Sequence, residues 1–185
     1  MGRIIVTEFV SLDGVMEDPG GSEEFKHGGW AFEFSRGDEG DRFKLDETMA
    51  SDALLLGRVT YDGFAPVWPQ VEGEFGDKFN SMPKYVVSTT LETADWDNTT
   101  ILDAEPFARI REIKASQNVL TWGSAQLVQG MLAEGLVDEL VLLYSPIVLG
   151  EGKRLFGEGA RHDLEVTETT RLGGGMLALR LAAAR

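Results

Sequence analysis

The stretch Ala53-Leu54-Leu55-Leu56-Gly57-Arg58-Val59-Thr60-Tyr61 decides how the chain is read. Four consecutive apolar residues closed by a glycine are too short for a buried helix and suit a strand covered on both faces. Val59 to Phe64 then reads as a short helix. The same design recurs at Val119-Leu120-Thr121-Trp122, where Gly123-Ser124-Ala125 leads into a second helix. There Ser124 is expected to cap, Leu127, Val128, Met131 and Leu132 share one face, and Gly135 is the stop. Strands that run through a glycine into a helix are the βα half of an α/β domain.

Outward from these two turns the alternation continues. Ile4-Ile5-Val6-Thr7-Glu8-Phe9-Val10 is apolar nearly throughout and is expected to be a central strand. A helix is compatible with residues 38–51, on Phe43, Leu45 and Met49. Further strands are read at Tyr85–Ser88 and Thr99–Leu102, and Pro106 near N1 opens a helix to about Ala115. A long strand runs from Glu139 to Val148, and residues 163–170 and 176–183 form a closing antiparallel pair around Gly173-Gly174-Gly175. Residues 14–40, rich in glycine, charge and aromatics, make a long irregular segment of the kind that carries function. With 185 residues and no repeat or linker, the whole chain, 1–185, is expected to be one domain.

Composition narrows the partners. The net charge of −14 argues against nucleic acid, whose binding needs surplus Lys and Arg. Without cysteine there can be no disulfide, Cys-based zinc site or thiol nucleophile. His27 and His162 are too few and too far apart to suggest a metal, and none is expected. The start MGRIIVTEFV lacks the pattern of a signal peptide, and no apolar run approaches the ~20 residues that cross a bilayer. A cytoplasmic protein without membrane contact is therefore expected.

An acidic protein that binds an anionic cofactor must do so through local devices. Gly57 and Gly123 let a phosphate approach the backbone, each at a helix N-terminus with unpaired N–H groups, and Arg58 and Thr60 add a guanidinium and a hydroxyl. A glycine followed by a polar residue is also simply how a strand turns into a helix, so both explanations stand at this point. Ser88-Thr89-Thr90 places three hydroxyls at a strand's C-terminal end, where open α/β sheets bind ligands. No Asp or Glu stands there to accept from a ribose 2′-hydroxyl, which favours NADPH over NADH.

Taken in order, Ser11-Leu12-Asp13-Gly14, Leu54 to Tyr61, Trp68-Pro69 and Gly123-Ser124 resemble the dihydrofolate reductase-like superfamily. The chain is more closely similar to stand-alone relatives of the riboflavin-biosynthesis pyrimidine reductase, the RibD C-terminal domain. Gly135-Leu136-Val137-Asp138-Glu139-Leu140, Pro146 to Gly152 and Leu155-Phe156 extend the likeness over almost the whole chain, with residues 17–40 matched least. The resemblance implies a mixed, mostly parallel eight-stranded sheet flanked by helices, with NADPH across the strand ends. It implies that Gly57, Arg58 and Thr60 hold phosphates and that Ser88 and Thr89 lie near the adenosine. Gly123, Ser124, Ala125 and Gln126 would hold the pyrophosphate.

A hydride reductase needs aligned carbons and a source of one proton. Asp13, on the loop that the resemblance lays over the nicotinamide, is one carboxylate candidate. Asp41 is another, on the helix where folate reductases carry the acid that orients the pterin; Asp46 and Glu47 share that helix. Phe25, Trp30, Phe43, Tyr61 and Trp68 are candidates to line a flat-ring pocket, or equally to fill the core. Val15-Met16-Glu17-Asp18 is acidic where a ribose-phosphate substrate would prefer a cation, which counts against the riboflavin precursor. The expected function is an NADPH-dependent reductase of a pyrimidine- or pterin-like molecule, similar to 5-amino-6-(5-phosphoribosylamino)uracil reductase. The alternative is a non-catalytic dinucleotide-binding module. A homodimer built on Leu140–Val148 and the closing strands is also expected.

Overall fold

The computed structural model describes residues 2–183. Its strands are β1 (Ile4–Ser11), β2 (Ala53–Gly57), β3 (Lys84–Val87), β4 (Thr99–Leu102), β5 (Val119–Trp122), β6 (Glu139–Ser145), β7 (Leu164–Arg171) and β8 (Leu177–Ala183). They form one sheet in the order β4-β3-β2-β5-β1-β6-β8-β7. Five neighbouring pairs are parallel, and only β6–β8 and β7–β8 are antiparallel. This is the mixed, mostly parallel eight-stranded α/β sheet expected from the sequence.

Helices α1 (Gly37–Met49), α2 (Arg58–Phe64) and α3 (Glu74–Ser81) lie on one face, and α4 (Pro106–Lys114) and α5 (Ala125–Ala133) on the other. The split follows from the connections. The chain steps from β1 to β4 in one direction across the sheet and returns from β4 through β5 to β6 in the other. Right-handed crossovers then put the outgoing and returning helices on opposite faces. Ile4, Val6 and Val10 of β1 pack with Ile110, Val128 and Met131 on the second face, while Ile5 and Phe9 pack with Leu54, Tyr61 and Phe79 on the first.

Helix α3 has no counterpart in the elements read from the sequence. It is eight residues long, contains Gly76 and is held by two apolar anchors, Phe75 and Phe79, which pack on Trp68 with ring centroids 5.5 and 4.1 Å apart. Strand β6 ends at Ser145, short of the Val148 expected, and Leu140–Leu143 are buried within the chain between β1 and β8. In the region expected to carry a homodimer interface, the exposed large apolar residues are Val148 and, on the closing strands, Val166 and Leu177. Among the described residues, no helix is long and apolar enough to cross a membrane.

Candidate functional site

The C-terminal ends of parallel strands are where helix N-termini and connecting loops converge, and at a reversal of strand order they part to leave a crevice. Here β1 separates the outgoing strand β2 and returning strand β5 from β6. A cavity of about 750 Å³ opens over these strand ends. Thr7, Glu8 and Phe9 of β1, Gly57 of β2, Trp122 of β5 and Leu143 of β6 line it from below. Met16 to Gly20, with Ser22, Glu23 and Phe32, lines it from the long segment after β1, and Phe64, Trp68 and Trp122 form an aromatic wall. Those rings brace one another: Trp68 and Phe64 lie 6.0 and 6.1 Å from Trp122, edge to face.

The two strand-to-helix turns meet at this cavity and are hydrogen-bonded to each other. Gly57 N–H donates to Ser124 Oγ at 2.8 Å, and Ser124 N–H donates to Thr60 Oγ1 at 2.9 Å. Ser124 Oγ in turn donates to the Trp122 carbonyl at 3.1 Å. Ser124 is the N-cap residue by position, in a left-handed conformation, but its hydroxyl does not cap α5 as expected. It ties the second turn to the first. The N–H groups of Ala125, Gln126 and Leu127 precede the first intrahelical bond of α5, which Val128 N–H makes to the Ser124 carbonyl. All three residues line the cavity. Arg58 lines it too; its guanidinium is half-exposed and bonds Asp62 at 2.6 Å.

The floor holds a charged cluster in an otherwise apolar setting. Lys44 of α1 is buried against the Glu47 carboxylate, donates to Thr7 Oγ1 at 2.7 Å, and lies 4.2 Å from the centre of the Trp122 ring. Burial lowers the Lys44 pKa, and the bond to Glu47 and its charge oppose that shift. Glu8 is buried beside them. Its Oε2 accepts from Gly123 N–H at 2.9 Å, while Oε1 is buried without a partner. Burial pushes the Glu8 carboxyl well above the ordinary carboxylate range; the Gly123 bond and Lys44 work against this, and Glu47 adds to it.

Residues 3–178 match the RibD C-terminal domain family. The chain belongs to this family. It is 31% identical over 155 residues to the uncharacterized protein YwjB of Bacillus subtilis (strain 168), covering 80% of this chain and 79% of that protein. A structure described as that of a candidate riboflavin biosynthesis protein from Shewanella sp. PV-4 superimposes with a TM-score of 0.78, at 23% identity and 99% coverage of both chains. The Thermotoga maritima diaminohydroxyphosphoribosylaminopyrimidine deaminase/5-amino-6-(5-phosphoribosylamino)uracil reductase matches with a TM-score of 0.66 and 12% identity. That match covers 99% of this chain and 57% of the Thermotoga protein.

The RibD C-terminal fold gathers some of the residues singled out in the sequence and disperses others. Gly57, Arg58, Thr60, Gly123, Ser124, Ala125, Gln126 and Trp68 all line the cavity. Ser88 and Thr89 do not. Ser88 Oγ accepts from the N–H groups of Thr90 and Leu91, closing the turn after β3. Trp30 and Tyr61 are buried away from the cavity, because each has found an internal partner: Trp30 Nε1 donates to the Glu17 carbonyl, and Tyr61 OH accepts from Trp96 N–H. Phe25 packs edge to face on His27 instead of lining the pocket.

The two carboxylate candidates also stand elsewhere. Asp41 is exposed and bonded to Arg36 at 2.6 Å. Asp13 clasps a neighbouring loop. It accepts from Ser11 Oγ at 2.7 Å and from the N–H groups of Leu149 and Gly150, bonds that hold its pKa at about 2. A carboxylate so firmly ionised is no proton donor near neutrality. The charged groups that line the cavity floor are instead Glu8 and Lys44, neither of which was singled out in the sequence. The one signal for Glu8 was a lone carboxylate inside an otherwise apolar central strand.

Proposed function

We propose that the chain is an NADPH-dependent reductase that delivers a hydride to a planar, pyrimidine- or pterin-like heterocycle. The observation that carries this reading is one cavity whose lining combines two chemically different sets of groups. One set is the N–H groups at the start of α5 and the Arg58 guanidinium, suited to phosphate. The other is Phe9, Trp122, Leu143 and the buried floor, suited to flat rings. About 750 Å³ is within the range for cofactor and small-molecule sites.

NADPH would supply the hydride. Ala125 and Gln126 would bind its pyrophosphate through their N–H groups, and Arg58 would exchange Asp62 for a phosphate. Because the Arg58–Asp62 pair is half-exposed, giving it up costs little. Trp68 and Phe64 would wall the nicotinamide, and Phe32 with the 16–23 segment would exclude water from above. The tie between Gly57, Ser124 and Thr60 fixes the two turns, so the site needs little rearrangement on binding.

The acidic lining tells against the ribose-phosphate substrate named for the Thermotoga protein. Glu17, Asp18 and Glu23 line the cavity, and Lys153, which lines it beside them, bonds both Glu17 and Glu23. An uncharged heterocycle fits better than a phosphorylated one. Titration with NADPH and NADH, read by energy transfer from tryptophan to the nicotinamide, tests the reading. Micromolar NADPH binding, weaker NADH binding and oxidation of NADPH by an uncharged pterin or pyrimidine are expected. Binding of neither nucleotide would remove the reductase reading, and tight binding without turnover would leave a dinucleotide-binding module.

A further inference from the structure

Reduction of a C=N or conjugated C=C bond by hydride leaves an anionic atom that needs one proton. The candidates facing the cavity are few. Lys44 lines it but is committed to Glu47 and Thr7. Lys153 is held between two carboxylates, and Arg58 does not deprotonate. Glu17 is paired with Lys153, which lowers its pKa against the opposing effect of burial. Asp18 and Glu8 are both buried cavity-lining carboxylates with one unpartnered oxygen; Asp18 Oδ1 accepts from Glu23 N–H within its own loop, whereas Glu8 is anchored on the sheet. Glu8 sits on a central strand, it is 4% exposed, and Oε1 has no partner although a buried polar oxygen without one is costly.

We propose that Glu8 is the proton donor of the reduction, with Oε2 anchored on the Gly123 N–H and the unpartnered Oε1 carrying the proton to the bound acceptor. This rests on the reductase reading above. With NADPH bound to supply a hydride to a ring carbon, the Glu8 Oε1–H bond would break as an N–H or C–H bond forms on the neighbouring atom. Glu8 remains as a carboxylate until solvent returns a proton after product leaves. The surroundings suit both forms. Burial favours the protonated carboxyl, and the Lys44 ammonium and Gly123 N–H stabilise the carboxylate left behind.

The charged groups around Glu8 are Lys44 and Glu47 from α1, Arg58 from α2, and Glu17, Asp18, Glu23 and Lys153 across the cavity. On β6 its register partner is Leu142, and β5 presents only the Gly123 N–H. Lys44 and Glu47 neutralise one another, so a protonated Glu8 leaves the buried cluster without net charge.

Infrared difference spectra of the wild type against Glu8→Gln, from pH 5 to 9, read the proton directly. A carboxylic acid band present at pH 7 in the wild type and missing in the variant is expected. Single-turnover NADPH oxidation by uncharged pterins and pyrimidines should fall by roughly 10²–10⁴-fold in Glu8→Gln, with NADPH affinity within about twofold. The wild-type rate should decline above the pH at which the band disappears, and the residual rate of the variant should not follow that decline. An ionised Glu8 at pH 7, or a variant turning over within threefold of the wild type, overturns the donor role while leaving the reductase reading intact. A wild type that binds no NADPH, or binds it and reduces none of the acceptors, overturns the reading and the donor role together.

Discussion

The two strand-to-helix turns look like twins in the sequence and behave differently in the structure. At the first, Gly57 has an extended conformation, φ −80° and ψ 160°, open to any residue. At the second, Gly123 and Ser124 are both left-handed, φ 57° and 64°. A methyl on Gly123 would lie 2.8 Å from Thr60 Oγ1, whereas one on Gly57 would meet Ser124 Cβ at 3.4 Å. The second turn is thus the constrained one, and it sets the first in place by accepting from Gly57 N–H and donating to Thr60. The first turn is relaxed and carries the exposed cation, Arg58. Similar sequence patterns have divided the work: one turn fixes backbone geometry, and the other presents a side chain.

The largest expected effect follows from that constraint. Gly123→Ala forces an alanine into the left-handed region and against Thr60, and should lower unfolding free energy by about 2–4 kcal/mol. Urea unfolding of variant and wild type measures it. A loss below about 1 kcal/mol would mean that the turn relaxes easily and that the contrast between the two turns is overstated.

Next is Arg58→Ala, which tests the side-chain half of the comparison. NADPH binding should weaken by about 1.5–3 kcal/mol, the range for hydrogen bonds to a charged group. The unfolding free energy should change by less than about 1 kcal/mol, because the pair with Asp62 is half-exposed. Asp62→Ala, which frees the guanidinium, should leave NADPH affinity unchanged or slightly tighter. An equal loss of affinity in both variants would mean that Arg58 acts through its bond to Asp62.

The division between the two turns was not legible in the sequence, though much of the fold around them was, and the limits have physical causes. Apolar runs such as Leu54–Leu56 and Val119–Trp122, each closed by glycine, mark buried parallel strands because few other structures accept them. The floor was not legible. Glu8 lies in an apolar strand, and Lys44 lies on a helix among Asp41, Asp46 and Glu47. Which of those charges is buried is decided by Thr7 and Trp122, far away in sequence. Trp30 and Tyr61 show the same limit for aromatics, since ring type does not say whether core or cavity receives it. Asp13 was found as a special carboxylate, but its partners, Leu149 and Gly150, lie 136 and 137 residues on.

Asp13 provides a third turn for comparison, held by a charge instead of by glycine and hydroxyl geometry. Its folded pKa, about 2, lies below the unfolded value of about 3.9. The stability it contributes is therefore complete above about pH 4–5 and is lost as pH falls through 2. Asp13→Asn should cost about 1–2 kcal/mol at pH 7 and no more than about 0.5 kcal/mol near pH 2. Equilibrium unfolding across pH 2–7 checks this; a constant difference over the whole range would show that the charge is irrelevant to the clasp.

The smallest effect is expected at Gly57. Its φ is acceptable to alanine, and the added methyl points at Ser124 in ordinary contact, so Gly57→Ala should change stability by less than about 1 kcal/mol. The same geometry bears on the cofactor. If the first turn serves through the Arg58 side chain, the methyl leaves phosphate access open and NADPH affinity stays within about threefold, well under 1 kcal/mol. If instead phosphate must approach the Gly57 backbone itself, the variant loses affinity tenfold or more while remaining as stable as the wild type, about 1.4 kcal/mol in binding alone. Unfolding and NADPH titration of this one variant therefore separate the two roles of glycine at the turn. Unchanged affinity would assign backbone recognition of phosphate to the α5 N–H groups of Ala125 and Gln126.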